Sequence, residues 1–289
     1  MIVSFDYEKT AAHRKEMEVT AEMVKADGAW HKETLDRYET LSEFYREYFR
    51  ASVGAEFARA TADINRGPRL TILDMGAGRG ETSLYLANFG HDVSPVEPSL
   101  AFCEVIDYVG SRFGKNLTIY NCSAEQLDIP GEQFDAVTFN CSLHHCDDPV
   151  MALKNAYRVL KAGGKLYVTG DPFLPFFKSR ESWLRDLDAS PEETGHYGGN
   201  EHIYSNNEYV AMIRQAGFEE VRPDVAARYR TKEAVSQSLA DDRHRSKLRN
   251  AVKSLWCHIP YFLMRTGLGM GTALLQRLSL VQSSFTSTK

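Results

Sequence analysis

Residues 141–149 read CSLHHCDDP, which sets two adjacent imidazoles between two thiols and two carboxylates. Three chemistries suit these side chains. An imidazole with an unperturbed pKa of about 6.5 can take a proton from a hydroxyl at neutral pH. Thiols and imidazoles can hold zinc, but Cys141, His144, His145 and Cys146 crowd one short turn, with no second ligand pair at C-x2-C or H-x3-H spacing. Asp147, Asp148 and Asp171 offer oxygen ligands of the kind magnesium takes. The spacing speaks against zinc, and no metal is expected. Two uses of the histidines remain open: one is a general base, or both orient the loop. Adjacent loop residues often point apart, so one faces the reacting molecule, and His145 is the choice for it over His144.

A second group with chemical meaning lies upstream. Asp74-Met75-Gly76-Ala77-Gly78-Arg79-Gly80 follows the short apolar run Leu70 to Asp74 and precedes a helical stretch from Glu81 to Phe89. Glycines at such a turn let a ligand approach the backbone, and the helix start adds unpaired N–H groups. The G-x-G-x-G spacing differs from the G-x-G-x-x-G of dinucleotide folds. Glu97, at the end of the next strand Asp92 to Val96, can bind the two hydroxyls of a ribose. Together these predict an adenosine-type ligand at the carboxyl ends of the strands, with no demand for a pyrophosphate.

The elements that must position these groups alternate. Leu117 to Asn121, Phe134 to Phe139 and Lys165 to Thr169 read as strands. Pro149 to Leu160 reads as a helix closed by Gly163-Gly164, and Ser205 with Glu208 has the form of a capping box for a helix ending near Gly217. FEEVR and AARYR, at 218–222 and 226–230, read as two last strands. Alternation of this kind predicts a doubly wound α/β fold, a mainly parallel sheet covered on both faces. Before it, Leu35, Tyr38, Leu41, Tyr45 and Tyr48 recur at helical spacing, and Gly67-Pro68 ends that pattern. The expected division is a helical N-terminal cap at 1–66, a core at 67–230 with an insert at 171–204, and a C-terminal helical extension at 231–289.

At this point the sequence resembles the class I S-adenosylmethionine-dependent methyltransferases. ILDMGAGRGETSLYLANFGHDVSPVEPS is similar to their cofactor-binding half. CSAEQLDIP, FDAVTFNCSLHHCDDP and ALKNAYRVLKAGGKLYVTGDP follow in the family's order, so the likeness covers about 68–222. It implies a seven-stranded Rossmann-like sheet and S-adenosyl-L-methionine as cofactor. By the same resemblance, Gly76, Gly78 and Gly80 make room for the methionine part, and Asp74 fixes the loop and meets the ammonium group. Glu97 holds the ribose diol. Ala124 offers a backbone N–H to the adenine, Glu125 or Ser123 contacts the exocyclic amine, and Asn140 approaches the methionyl group. Ser123 departs from the Asp that many relatives carry there. The loop after the fourth strand borders the transferable methyl, which places His144 and His145 near the reaction centre.

The insert supplies apolar walls and a few polar groups, a combination that suits a small-molecule acceptor. Phe176, Tyr197, His202 and Tyr204 are its expected contacts. The acceptor atom is expected to be a hydroxyl oxygen of a saccharide or natural-product intermediate. Nitrogen, carbon or a lipid-linked acceptor, and an inactive cofactor-binding partner subunit, are the alternatives.

The bulk numbers bound the rest. The 289 residues are 43% hydrophobic and 25% charged with a net charge of −5, which does not advertise a nucleic-acid partner. Five cysteines do not form a disulfide framework, and no secretory signal or membrane-spanning run is visible, so a cytoplasmic protein is expected. The tail joins a basic stretch, Arg243 to Arg249, to a broken apolar run. That composition suits packing over the core, a homodimer contact, or peripheral contact with an anionic membrane.

Overall fold

The structure, a computed structural model, describes residues 1–6, 10–27, 31–48, 50–188, 201–225, 258–263, 269–277 and 282–289. Its centre is β2 (Thr71–Met75), the run TILDM, in which every residue after Thr71 is buried. A strand apolar along its whole length belongs inside a parallel sheet with both faces covered. β2 pairs in parallel with β3 (Asp92–Val96) on one side and β5 (Phe134–Asn140) on the other. β4 (Ile119–Asn121) extends the sheet beyond β3, and β6 (Leu160–Thr169) extends it beyond β5. Helices Glu81–Asn88, Leu100–Arg112 and Pro149–Val159 make the crossovers. Two apolar clusters result, one on each face, centred on Ile72 and Leu84 and on Leu73 and Val137.

The doubly wound reading holds, and the described residues form eight strands where seven were expected. β1 (Ile2–Ser4) pairs in parallel with β4 at the edge, and with β7 (Val221–Val225) and β8 (Ser283–Thr288) the order is β1-β4-β3-β2-β5-β6-β8-β7. β7 begins three residues later than FEEVR suggested. AARYR lies outside the described residues. The strand beside β6 is instead β8, antiparallel to both β6 and β7. Both terminal additions, expected to be helical, therefore also contribute a strand to the core sheet. β1 is three residues, below the length at which a strand pattern becomes visible. SSFTST is mostly hydroxyl residues, yet β8 buries all of them except Thr286 and Thr288, with Phe285 between them.

Two further elements hold the site. The capping box at Ser205 and Glu208 is formed, and it starts helix Asn206–Gln215. Asn206 and Asn207 on that helix donate to the carbonyls of Gln276 and Arg277, so the helix Gly269–Arg277 of the tail is tied to the core. The basic stretch 243–249 lies outside the described residues. Among the described residues, no helix is long and apolar enough to cross a membrane.

Candidate active site

A cavity of about 350 Å³ opens at the carboxyl ends of β2, β3 and β5. Most of the residues expected at the cofactor line it: Gly76, Gly78, Glu97, Ser123, Ala124, Glu125 and Asn140, with His145 on the same wall. Two glycines of the turn after β2 cannot be replaced without a clash against the protein itself. Gly76 has φ +72°, and a Cβ there would stand 2.5 Å from the Cβ of Ser142. Gly80 has φ +87° and sits against Ile106, 2.7 Å from the site of a Cβ, so it serves helix packing and does not line the cavity. The N–H groups of Gly76 and Ala77 both donate to the carbonyl of Val96, which locks the turn onto β3.

Glu97 is buried, and both its oxygens accept backbone N–H bonds, from Gly78 and Ser99, each at 2.8 Å. Burial pushes its carboxyl up to about 8, with the Glu16 charge reinforcing and the two N–H groups opposing. Asp74 accepts from the hydroxyls of Ser83 (2.6 Å) and Thr138 (2.7 Å), tying β2 to β5 and to the following helix. Its carboxyl, fully buried, is raised to about 6. It stands behind the cavity wall, where it fixes the loop. Asn140 donates to Thr82 at 3.1 Å and accepts from Thr169 at 2.8 Å, so its amide is held rigidly at the cavity edge. The carbonyls of Ala124 and Glu125 are both anchored by the Asn155 amide, at 3.0 and 2.8 Å.

Sequence reasoning missed the N-terminal side of the cavity. His13 and Glu16, on helix Ala11–Ala26, line it. That helix is pinned by a buried Thr20–Ser99 hydroxyl pair at 2.8 Å and by Arg79 on Asp27 at 3.1 Å. No local signal marks these two residues, because their place depends on a helix that crosses back over the sheet.

The histidines are held very differently. His144 is buried. Its Nδ1 meets Asp171 Oδ1 at 2.6 Å, its backbone N–H donates to the same oxygen at 3.0 Å, and its Nε2 faces Glu201 Oε2 at 3.3 Å. Burial opposes a charge on this ring, but the bonds to Asp171 and Glu201 outweigh it and lift the group to about 9. His144 is thus an imidazolium at neutral pH. Its stabilising effect is complete below the ordinary imidazole pKa and is lost as pH rises through about 9. The His145 ring lies against it at a tilt of 39°, with ring centroids 4.0 Å apart, and its Nε2 lies 3.9 Å from Glu201 Oε1. Only His145 of the two lines the cavity.

The insert contributes differently from expectation. Phe176 is 66% exposed and packs edge-on against Phe177 outside the cavity. A turn at Pro175, closed by the Lys178 N–H, carries that pair to the surface. His202 does not line the cavity either; its backbone N–H donates to the carbonyl of His144 at 3.1 Å. Tyr204 pairs with Phe173 and packs on Tyr209. Tyr197 lies outside the described residues. Glu201, one of the polar groups that the sequence offered in the insert, is the insert's contribution to the site.

The three aspartates named for magnesium have protein partners. Asp148 caps helix Pro149–Val159 through the Met151 N–H, Asp171 is committed to His144, and Asp147 lies 3.9 Å from His13. His144, His145 and Glu201 do each bring one potential ligand atom within 4.8 Å of the others.

Comparison with known proteins agrees with this geometry. Residues 73–168 match the family described as methyltransferase domain. The ubiquinone/menaquinone biosynthesis C-methyltransferase UbiE of Rickettsia bellii is 28% identical over 211 residues, covering 64% of this chain and 82% of the relative. Phosphoethanolamine N-methyltransferase 2 of Haemonchus contortus, solved with S-adenosyl-L-methionine, superposes with a TM-score of 0.52 at 18% identity, over 87% of this chain and 60% of that one. The [4+2]-cyclase SpnF superposes with a TM-score of 0.51 at 18% identity, over 80% and 79%. The last two likenesses are of fold alone, and their different printed activities show why the reaction must be argued from the site.

Proposed function

Because the chain belongs to the class I S-adenosylmethionine-dependent methyltransferases, we propose that it methylates a small hydroxylated acceptor, at the carbon next to the hydroxyl, with His145 as the group that takes the hydroxyl proton. The observation that carries this reading is His145 on the wall of the cofactor cavity, backed by a carboxylate. When bound, the cofactor supplies a methyl on a sulfonium sulfur, which leaves as a thioether with the electron pair of the broken C–S bond.

The residues present fit that ligand. Gly76, at φ +72° and packed against Ser142, gives the turn the shape that borders the cavity. Glu97 offers its oxygens to a diol once the ligand displaces a backbone partner. Glu16, Glu81 and Glu125 surround the cavity with carboxylates suited to a cation, and its one arginine, Arg79, is paired with Asp27 and Glu81. The protein's own work is then limited. It excludes water, holds the acceptor in line, and accepts the hydroxyl proton at His145, which turns a phenol or enol into an oxyanion whose adjacent ring or vinyl carbon attacks the methyl; that carbon then loses its own C–H proton and the oxygen takes a proton back.

The choice of carbon is supported by the relatives' printed C-methyltransferase activity. Transfer to the oxygen itself, the expectation from sequence, needs the same proton removal and is the second reading. Incubation with methyl-labelled cofactor and a panel of phenolic, enolic and saccharide acceptors separates them. We expect the label on carbon of a hydroxylated ring or enol. Label found only as a methyl ether moves the acceptor atom to oxygen, and label found only on amines removes the hydroxyl from the account.

A further inference from the structure

Asp171, His144, Glu201 and His145 form one continuous chain of charged and titratable groups, with spacings of 2.6, 3.3 and 3.9 Å. Asp171 and His144 are almost fully buried, and Glu201 keeps 12% of its side-chain surface. Buried charge must be compensated. Two carboxylates against one imidazolium leave an excess of one negative charge, and the group next to that excess is His145. The bonded oxygen of Asp171 is taken up by the Nδ1 and the backbone N–H of His144. The two oxygens of Glu201 are divided between the two imidazoles.

Other described groups also face the pair. Cys146, Asp147 and Glu125 border the same loop, and Glu16 and His13 face it from the N-terminal helix. His202 acts on Glu201 from its own segment. Burial favours a neutral Glu201, but the bond and charge of His144 and the charge of His145 hold it ionised.

We propose that Glu201 is the positioning residue of methyl transfer: it orients the His145 ring at the cofactor cavity and stabilises the imidazolium that forms there when the acceptor hydroxyl gives up its proton. The proposal rests on His145 being the base. In the step, the acceptor O–H bond breaks, the proton binds a ring nitrogen of His145, and the new positive charge lies beside a carboxylate already in place. This is electrostatic preorganisation at the point where charge develops. It also separates two neighbours of identical type. His144 keeps its proton and anchors Glu201, while His145 gains and loses one, a division of roles produced by environment. The 3.9 Å gap to His145 exceeds a hydrogen bond, and contacts of this kind tighten in the loaded complex.

The test is Glu201→Gln in the full chain, which keeps shape and removes charge, beside Glu201→Asp. Cofactor affinity by calorimetry should be unchanged in both. For Glu201→Gln, kcat should fall about tenfold to a hundredfold, the share of one preorganised electrostatic contact. The rising limb of its pH–rate profile should move to lower pH by about one unit or more, because a carboxylate within about 4–6 Å has been lost. Glu201→Asp should recover part of kcat and return the limb toward its original position. An unchanged kcat and limb for Glu201→Gln overturns the proposal. So does an equal loss of cofactor affinity, which would make Glu201 a purely structural strut. Loss of wild-type turnover to a chelator, restored by Zn²⁺, also overturns it, because His144, His145 and Glu201 would then be metal ligands. If His145→Ala keeps full turnover, the underlying base assignment fails instead, and the two failures are distinguishable.

Discussion

His145→Ala is expected to lower kcat about a hundredfold or more, the range that a positioned general base contributes. Cofactor affinity should barely change, because the ring is one of many groups on the cavity wall and the cofactor residues are held independently. The rising limb of the pH–rate profile should disappear. His144→Ala should behave differently. It removes the buried cation between Asp171 and Glu201, leaving Asp171 the backbone N–H of residue 144 and Glu201 the more distant His145 ring. Breaking a buried pair in this way costs about 3–5 kcal/mol, so the expected result is a large fall in Tm ahead of any clean kinetic effect. Steady-state kinetics and thermal denaturation of both variants separate the roles. Full turnover in both would reduce catalysis to proximity, and loss of kcat in a stable His144→Ala alone would exchange the assignments.

Glu97→Ala should weaken cofactor binding by about tenfold to a hundredfold, since hydrogen bonds to a charged group are worth about 1.5–3 kcal/mol. The pH dependence gives a second readout with a definite sign. In the empty site the Glu97 carboxyl titrates at about 8, well above its ordinary value, because it is buried. At neutral pH the empty protein therefore carries it mostly protonated. A ligand with a diol and a positive charge favours the ionised form, so binding releases a proton. Affinity should rise with pH until about 8 and level off above it. Asp74, at about 6, adds a smaller rise at the acid end. In Glu97→Ala the rise between 6 and 8 should flatten. Calorimetry in buffers of different ionisation enthalpy measures the proton directly. Unchanged affinity in the variant, or wild-type affinity that falls as pH rises, would sink this account of Glu97. The same raised carboxyl makes the empty protein less stable as pH climbs from the ordinary carboxylate range through 8, a loss that bound ligand offsets.

Much of this site was legible in the chain because its signals are local. The Gly76–Gly80 turn, the buried run of β2 and the acid closing β3 lie within 27 residues, from Thr71 to Glu97, and each has a short-range physical meaning. The capping box at Ser205 is equally local and formed as read. Glu201 was legible only as one polar group of the insert, because its role comes from the two imidazoles it meets and nothing in EHIY announces them. His13 and Glu16 were hidden for the same reason. β8 was missed because SSFTST carries its strand signal in packing between β6 and β7 and not in apolar alternation. Phe176 illustrates the converse. Its type suggested a pocket wall, but composition does not say which way a turn points, and Pro175 points it outward.

The described part of the tail now has a mechanical role. β8 completes the sheet beside β6, and the helix Gly269–Arg277 leans on Asn206 and Asn207. Gln282 also donates to the carbonyls of Gly170 and Asp171, at 3.2 and 2.6 Å. The chain's last residues thereby steady the backbone of the very aspartate that holds His144.

The central claim is that a hydroxyl proton must leave at the His145–Glu201 pair before the methyl can move. Its most direct test uses an acceptor found by the labelled-methyl panel and the same acceptor with its hydroxyl capped as a methyl ether. Both are offered to the wild-type enzyme at saturating cofactor, and methyl transfer is measured by label incorporation. The account predicts transfer to the free hydroxyl compound and none to the capped one, with the capped compound still competing for the site. Equal transfer to both would contradict it.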